Sequence, residues 1–254
     1  MLKRKITIII QARTASQRLS RKVLRKILGR PMIWYILRRI KESENVAQVV
    51  LATTKNKEDD ILADIAKKNK ILVFRGDDLD VLNRYYECAK KYKADPIIRI
   101  TADCPLIDSF LVDEMIDFYL KNNYDYVSNT IIPTYPDGLD VEIFSFKTLE
   151  FAVNNARKKS EREHVTVYIK NNPQKFKLFN YKNENDLSNY RWTVDEEEDL
   201  LFVRKIYSKM KPDVVFKYQK ILELLSSFPD LLKINQGFKR NEGYKKSLEN
   251  DDVL

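Results

Sequence analysis

The run Ile6-Thr7-Ile8-Ile9-Ile10 sets the frame for the whole chain. Apolar, β-branched side chains on both alternating faces predict a strand covered on both sides, as in a parallel sheet layered with helices. The run breaks at Gln11, and the loop that follows carries Arg13, Arg18, Arg21 and Lys22 with several hydroxyls among them. In such sheets, ligands bind where loops leave the carboxyl ends of the strands. Guanidinium and ammonium donors gathered there predict a polyanionic ligand, most simply a nucleoside triphosphate.

Strand and helix patterns then alternate. Strands are predicted over Gln48–Thr53, Ile71–Phe74, Pro96–Thr101 and Tyr126–Asn129. Helices are predicted from Pro31 to Ile40, Glu58 to Asn69, Leu79 to Lys93 and Ser109 to Lys121. Pro31 suits a helix start, where its missing N–H costs nothing. Strands and helices at this spacing imply βαβ units and a mostly parallel sheet. Beyond Tyr135 the pattern loosens. Strands are expected over Val141–Phe144, Phe176–Tyr181 and Tyr190–Val194, and helices over Thr148–Arg157, Glu163–Lys170, Glu196–Lys209 and Phe216–Leu225. With no internal repeat or low-complexity linker, the expectation is a single domain over residues 1–235 and a polar, frayed tail over 236–254.

Composition excludes several classes. A chain of 254 residues with 44% hydrophobic and 33% charged residues is expected to be a globular α/β protein rather than a disordered one. No apolar run approaches the ~20 residues of a membrane span. The basic start, Met1 to Lys5, precedes an apolar stretch shorter than the ~7–15 residues of a signal core, so a cytoplasmic protein is expected. Cys88 and Cys104 lack metal-ligand spacing and read as reduced structural thiols; a single His leaves little scope for zinc. The net charge of +9 is scattered among 37 acids with no Lys/Arg block, so neither nucleic acid nor membrane is the expected partner. Neither a G-x-G-x-x-G fingerprint nor a Walker A loop is present.

Two carboxylates stand out. Asp103 ends the strand Arg99-Ile100-Thr101-Ala102-Asp103 just before Cys104-Pro105, and Asp195 ends Arg191-Trp192-Thr193-Val194-Asp195 before a helix. A carboxylate at a strand tip beside a triphosphate loop suits Mg²⁺. The plainer reading is a helix N-cap, a role that Asp108 fills better than Asp103 and that Asp195 could fill itself. Asp80 can likewise start a helix, with Arg84 its partner at (i, i+4).

The loop Ala12-Arg13-x-x-Ser16-x-Arg18-Leu19-x-x-Lys22 resembles the A-R-x-x-S-x-R-L-P-x-K loop of the cytidylyltransferases. That group includes the CMP-sugar-acid synthetases (acylneuraminate and 3-deoxy-manno-octulosonate) and, closer still, the spore-coat polysaccharide biosynthesis type. Ser20 stands where the family has proline. Further stretches resemble the family in the same order: Phe74 to Tyr85, Thr101 to Leu106, Tyr135 to Glu142, Glu161 to Thr166 and Thr193 to Asp199. The resemblance implies a Rossmann-like nucleotidyltransferase (GT-A-like) three-layer sandwich with a mixed, mostly parallel sheet, often dimeric. It implies CTP and Mg²⁺, with Asp103 and Asp195 as metal ligands. It places Ala12, Arg13, Ser16, Arg18 and Lys22 on the phosphates, with Arg13 and Lys22 catalytic. It places Thr53, Arg75, Gly76 and Asp80 near base and ribose, and Asp140, Glu142, Arg162 and His164 near an acceptor that is a sugar acid or a phosphorylated sugar or polyol. Two other readings stay open: a glycosyltransferase on a similar scaffold, and a non-catalytic protein whose basic surface binds nucleic acid or a partner.

Overall fold

The protein is described by a computed structural model over residues 5–16, 18–238, 240, 242–249 and 251–253. The first strand, β1 (Lys5–Gln11), is the hub of the sheet. It pairs in parallel with β2 (Gln48–Thr54) on one side and with β4 (Ala94–Thr101) on the other. Beyond β2 lies β3 (Leu72–Gly76), also parallel. Beyond β4 lie β6 (Glu142–Phe144), β5 (Tyr126–Ser128) and β7 (Leu178–Asn180), giving the order β3-β2-β1-β4-β6-β5-β7. Only β6 runs against its neighbours. The sheet is mixed and mostly parallel, as expected.

Period-two alternation assigns each strand residue to one of two cores. Ile8, Ile10, Leu51, Ile98 and Ile100 pack with α1 (Met32–Ile40), α4 (Ser109–Lys121) and α8 (Glu197–Met210). Ile9, Val50, Ala52 and Ile97 pack on the opposite face with α3 (Val81–Tyr92) and α5 (Phe146–Asn155). The result is the three-layer arrangement. Also on the α1 side are α2 (Asp60–Lys68) and α9 (Tyr218–Ser227). The fully buried Arg39 ties loops to α1, its guanidinium donating to the carbonyls of Ile107 (2.6 Å), Val214 (2.7 Å) and Phe216 (2.7 Å). Among the described residues, no helix is long and apolar enough to cross a membrane.

Two predicted segments differ. The helix expected over Glu163–Lys170 is two short ones, α6 (Lys159–Glu163) and α7 (Val167–Lys170), separated where Val165 takes a φ of +56°. The strand expected over Tyr190–Val194 does not join the sheet. Its backbone laces two loops instead: the Trp192 N–H donates to the Asp137 carbonyl (2.6 Å), and the Val194 N–H to the Asp103 carbonyl (2.8 Å). Its alternation served loop pairing. Among the described residues after Asn235 is α10 (Glu242–Glu249); Ser247 bonds His164, and Arg240 bonds Asp140.

Candidate active site

The loops leaving β1 and β4 meet the laced segment 191–195 at the carboxyl ends of the parallel strands, and the loop leaving β3 meets the β1 loop. This is the crevice where a sheet of this topology binds ligands, between strands whose connections depart in opposite directions. The β1 loop is anchored first. The Ala12 N–H donates to the Ala52 carbonyl (3.2 Å), and Thr14 gives both its N–H and its hydroxyl to Asp59 (2.7 Å each). Burial opposes ionisation of Asp59, but bonds from Thr54 and Thr14 outweigh it and hold the carboxyl below its usual range.

Lys22 is the centre. Its ammonium lies 3.2 Å from Asp103 Oδ2, 2.7 Å from Asp195 Oδ1 and 3.0 Å from the Val194 carbonyl. Burial would lower its pKa, yet the two carboxylates raise it. Burial likewise opposes the charge on Asp103, but Lys22 and the Thr101 hydroxyl hold its pKa down at about 2. Asp195 receives two further cations: Arg18 at 2.8 Å and Arg191 at 3.4 Å. Arg13, on the same loop, pairs at 3.0 Å with Asp78 in the loop after β3. Ser16 sits half-buried between them in sequence.

The residues expected near base and ribose divide. Thr53 is fully buried at the end of β2, in register with Arg75 on β3. The Arg75 guanidinium turns to the carbonyls of Thr54 and Asn56 (2.7 Å each) and to Asp60 on α2. Gly76 makes room for a buried arginine: a Cβ there would fall 2.8 Å from Arg84 Cγ. Asp80 caps α3, accepting from the Asn83 N–H at 2.9 Å. Its charge partner is Arg162, on α6 (Nε at 3.0 Å), while Arg84 donates to the Asp77 carbonyl. The motif expected at the nucleotide thus meets the motif expected at the acceptor.

In the turn expected near the acceptor, Asp137 and Asp140 flank Gly138, whose φ of +108° and approach to the Thr193 N (2.6 Å from a built Cβ) exclude any side chain. Burial and the Asp140 charge push Asp137 up to about 7, against the pull of Arg240 and Arg191. Glu142 faces a different environment from an open acceptor pocket. It is almost fully buried, paired with Arg99 and Lys170 and hydrogen-bonded by Tyr126 and Thr166. Burial opposes its charge, but Arg99 and Lys170 bring its pKa down to about 2. His164 hydrogen-bonds through Nε2 to Ser247 Oγ (2.9 Å) and meets the edge of Tyr244; burial lowers its pKa.

Three residues central to this network were not among the sequence candidates. Arg191 joins Asp137, Asp195 and Asp199, and Asp199 in turn accepts from the N–H groups of Asp195 and Glu196 (3.0 Å each). Arg240 bonds to Asp140 and the Tyr135 carbonyl. The sequence signal for the first two was the spacing of Arg191, Asp195 and Asp199 at successive four-residue intervals. For Arg240 there was none.

Chemically, two carboxylates aim at one cation position beside a guanidinium-rich loop. Among the described residues no group of three or more His, Cys, Asp or Glu is gathered for a metal. Mg²⁺ is commonly held by one or two carboxylates, with substrate phosphates and water completing its shell. Asp103 and Asp195, with an ammonium held between them, fit that donor set.

Comparison with known proteins accords with this geometry. A family model described as cytidylyltransferase matches residues 7–240. The chain is 32% identical to the spore coat polysaccharide biosynthesis protein SpsF of Bacillus subtilis, over 89% of this chain and 95% of that one. A shorter match, 32% identical over 44% of this chain and 43% of the relative, is to a 3-deoxy-manno-octulosonate cytidylyltransferase of Geobacter metallireducens. A solved cytidylyltransferase from Leptospira borgpetersenii superposes with a TM-score of 0.89 at 37% identity, covering 94% of this chain and all of that one. Matched from residue 7 to residue 240, the chain belongs to the cytidylyltransferase family and is a nucleotidyltransferase.

Proposed function

We propose that the protein transfers CMP from CTP to an acidic sugar, either a sugar acid or a phosphorylated sugar or polyol, with release of pyrophosphate. The observation that carries the reading is the Lys22 ammonium held between Asp103 and Asp195 at the mouth of the Arg13–Arg18 loop. In the reaction an acceptor oxygen bonds to the α-phosphorus and the bond to pyrophosphate breaks; a sugar-acid hydroxyl gives up its proton, whereas a phosphate oxygen of a phosphorylated acceptor has none to lose. Arg13, Ser16, Arg18 and Lys22 bind the phosphates, and Lys22 offsets charge building on the departing pyrophosphate. Mg²⁺ on Asp103 and Asp195 would supply further neutralisation of phosphate charge.

Thr53, Gly76 and the Asp80–Arg162 pair border the nucleoside side. Asp140 faces the acceptor, and Glu142 positions that region from beneath, through Arg99 and Lys170. The name of the spore coat polysaccharide biosynthesis relative favours a role in polysaccharide synthesis, and a cytoplasmic homodimer completes the proposal.

The test is pyrophosphate release from CTP, UTP, ATP and GTP, each with Mg²⁺ and a panel of sugar acids and sugar phosphates. CTP-dependent release with one acceptor is expected. Hydrolysis of nucleotide sugars without pyrophosphate formation would favour a glycosyltransferase instead.

A further inference from the structure

The helix α10 lies beyond the family match, which ends at residue 240, yet its side chains rest on motif residues. Glu242 approaches Arg18 at 4.0 Å. Tyr244 meets the His164 ring at 5.2 Å between centroids, and Ser247 bonds both His164 and Glu163 (3.1 Å). Past the helix, Asp251 accepts from the Ser160 N–H at 2.9 Å, and the Asp252 carbonyl from the Lys159 N–H at 3.0 Å. The segment therefore runs from the phosphate loop to α6. Arg240 leads into it, and its guanidinium bridges Asp140 and Asp137 (3.7 Å to Oδ1) while donating to the Tyr135 carbonyl at 3.2 Å.

We infer that Arg240, carried over the cleft by this C-terminal strap, is a positioning and specificity residue for the acceptor. Two carboxylates three residues apart repel one another. One guanidinium spanning both fixes their spacing beside a hydroxyl-bearing substrate. The strap's grip on α6 sets how far Arg240 reaches, and so bounds the size of the acceptor. CTP is bound by Arg13, Arg18 and Lys22, whereas Arg240 bonds Asp140 and the Tyr135 carbonyl and pairs with Asp137. The inference rests on the acceptor reading proposed above.

The experiment compares the full chain with Arg240→Ala and Arg240→Lys, using CTP–Mg²⁺ and 3-deoxy-manno-octulosonate as the probe acceptor. CTP affinity is read by calorimetry, and KM and kcat by pyrophosphate release. Arg240→Ala is expected to raise the acceptor KM about tenfold or more, the loss of ~1.4 kcal/mol or more, with CTP affinity within twofold. Arg240→Lys, which keeps the charge but not the fork, recovers part of the loss. An unchanged acceptor KM, or CTP affinity falling in step with it, would overturn the inference. A full chain that binds CTP but turns over no probe acceptor would remove the sugar-acid reading first, and this inference with it.

Discussion

Lys22 Nζ stands between Asp103 Oδ2 and Asp195 Oδ1, at 3.2 and 2.7 Å, although Lys22 precedes Asp103 by eighty-one residues in the chain. The ammonium joins the loop after β1 to both carboxylates. Lys22→Ala leaves two part-buried carboxylates facing each other. The expected cost in metal-free protein is ~1–3 kcal/mol, with Mg²⁺ restoring part of it, and turnover falls ~10²–10³-fold. Thermal unfolding with and without Mg²⁺, alongside pyrophosphate release, measures both. Equal stability of the two proteins in chelator would contradict this.

Glu142 is an acid whose burial is offset by Arg99 and Lys170. Glu142→Gln breaks a buried pair and leaves Arg99 uncompensated, at an expected ~3–5 kcal/mol. The pH dependence has a defined sign. The folded pKa, about 2, lies below the ordinary value of 4.5, so this group's stabilisation is present above pH 4.5 and fades as pH falls toward 2. Urea unfolding at pH 7 and pH 3 should show the difference between wild type and variant shrinking at the lower pH. A constant difference would speak against it.

Gly138 holds the acceptor turn against the backbone of Trp192 and Thr193. Gly138→Ala meets backbone, which cannot swing aside, and must also adopt a left-handed φ. A loss of ~1–3 kcal/mol or more is expected, read as a lower Tm. Gly29 also has positive φ but nothing within 4 Å of a built Cβ, so Gly29→Ala costs only the backbone term and should lower Tm less. The reverse order would mean that the turn is looser than the structure has it.

Arg75 directs all three of its guanidinium nitrogens to the loop after β2 and to α2. Arg75→Ala is therefore expected to loosen that loop and lower Tm, with CTP affinity changing less than in Arg13→Ala. Calorimetric titration of CTP into both variants decides it. A larger loss of affinity in Arg75→Ala would return the guanidinium to the base.

Local pattern made much of this architecture legible. The β-branched run of β1, the helix after Pro31 and the Asp108 cap of α4 each depend on neighbours a few residues away. What escaped the sequence depends on distant partners. Tyr190 to Val194 alternates as a strand would, but its hydrogen-bonding partners are the loops at Asp137 and Asp103. Asp80 and Arg84 have helical spacing for an ion pair, yet Arg162, eighty-two residues away, takes the carboxylate. Glu142 reads as a polar contact in its motif, and only its register against Arg99 on β4 reveals that it is buried. The role of Arg240 is set by carboxylates a hundred residues earlier, beyond the reach of any periodicity.

The central claim is tested most directly by calorimetric titration of CTP and UTP in Mg²⁺, on wild type and on the double variant Asp103→Asn/Asp195→Asn. The account predicts that wild type binds CTP in preference to UTP, and that the Mg²⁺-dependent part of that binding is lost when both carboxylates are removed. Equal binding of CTP by the double variant, with Mg²⁺ still required, or no CTP binding by the wild type, would contradict it.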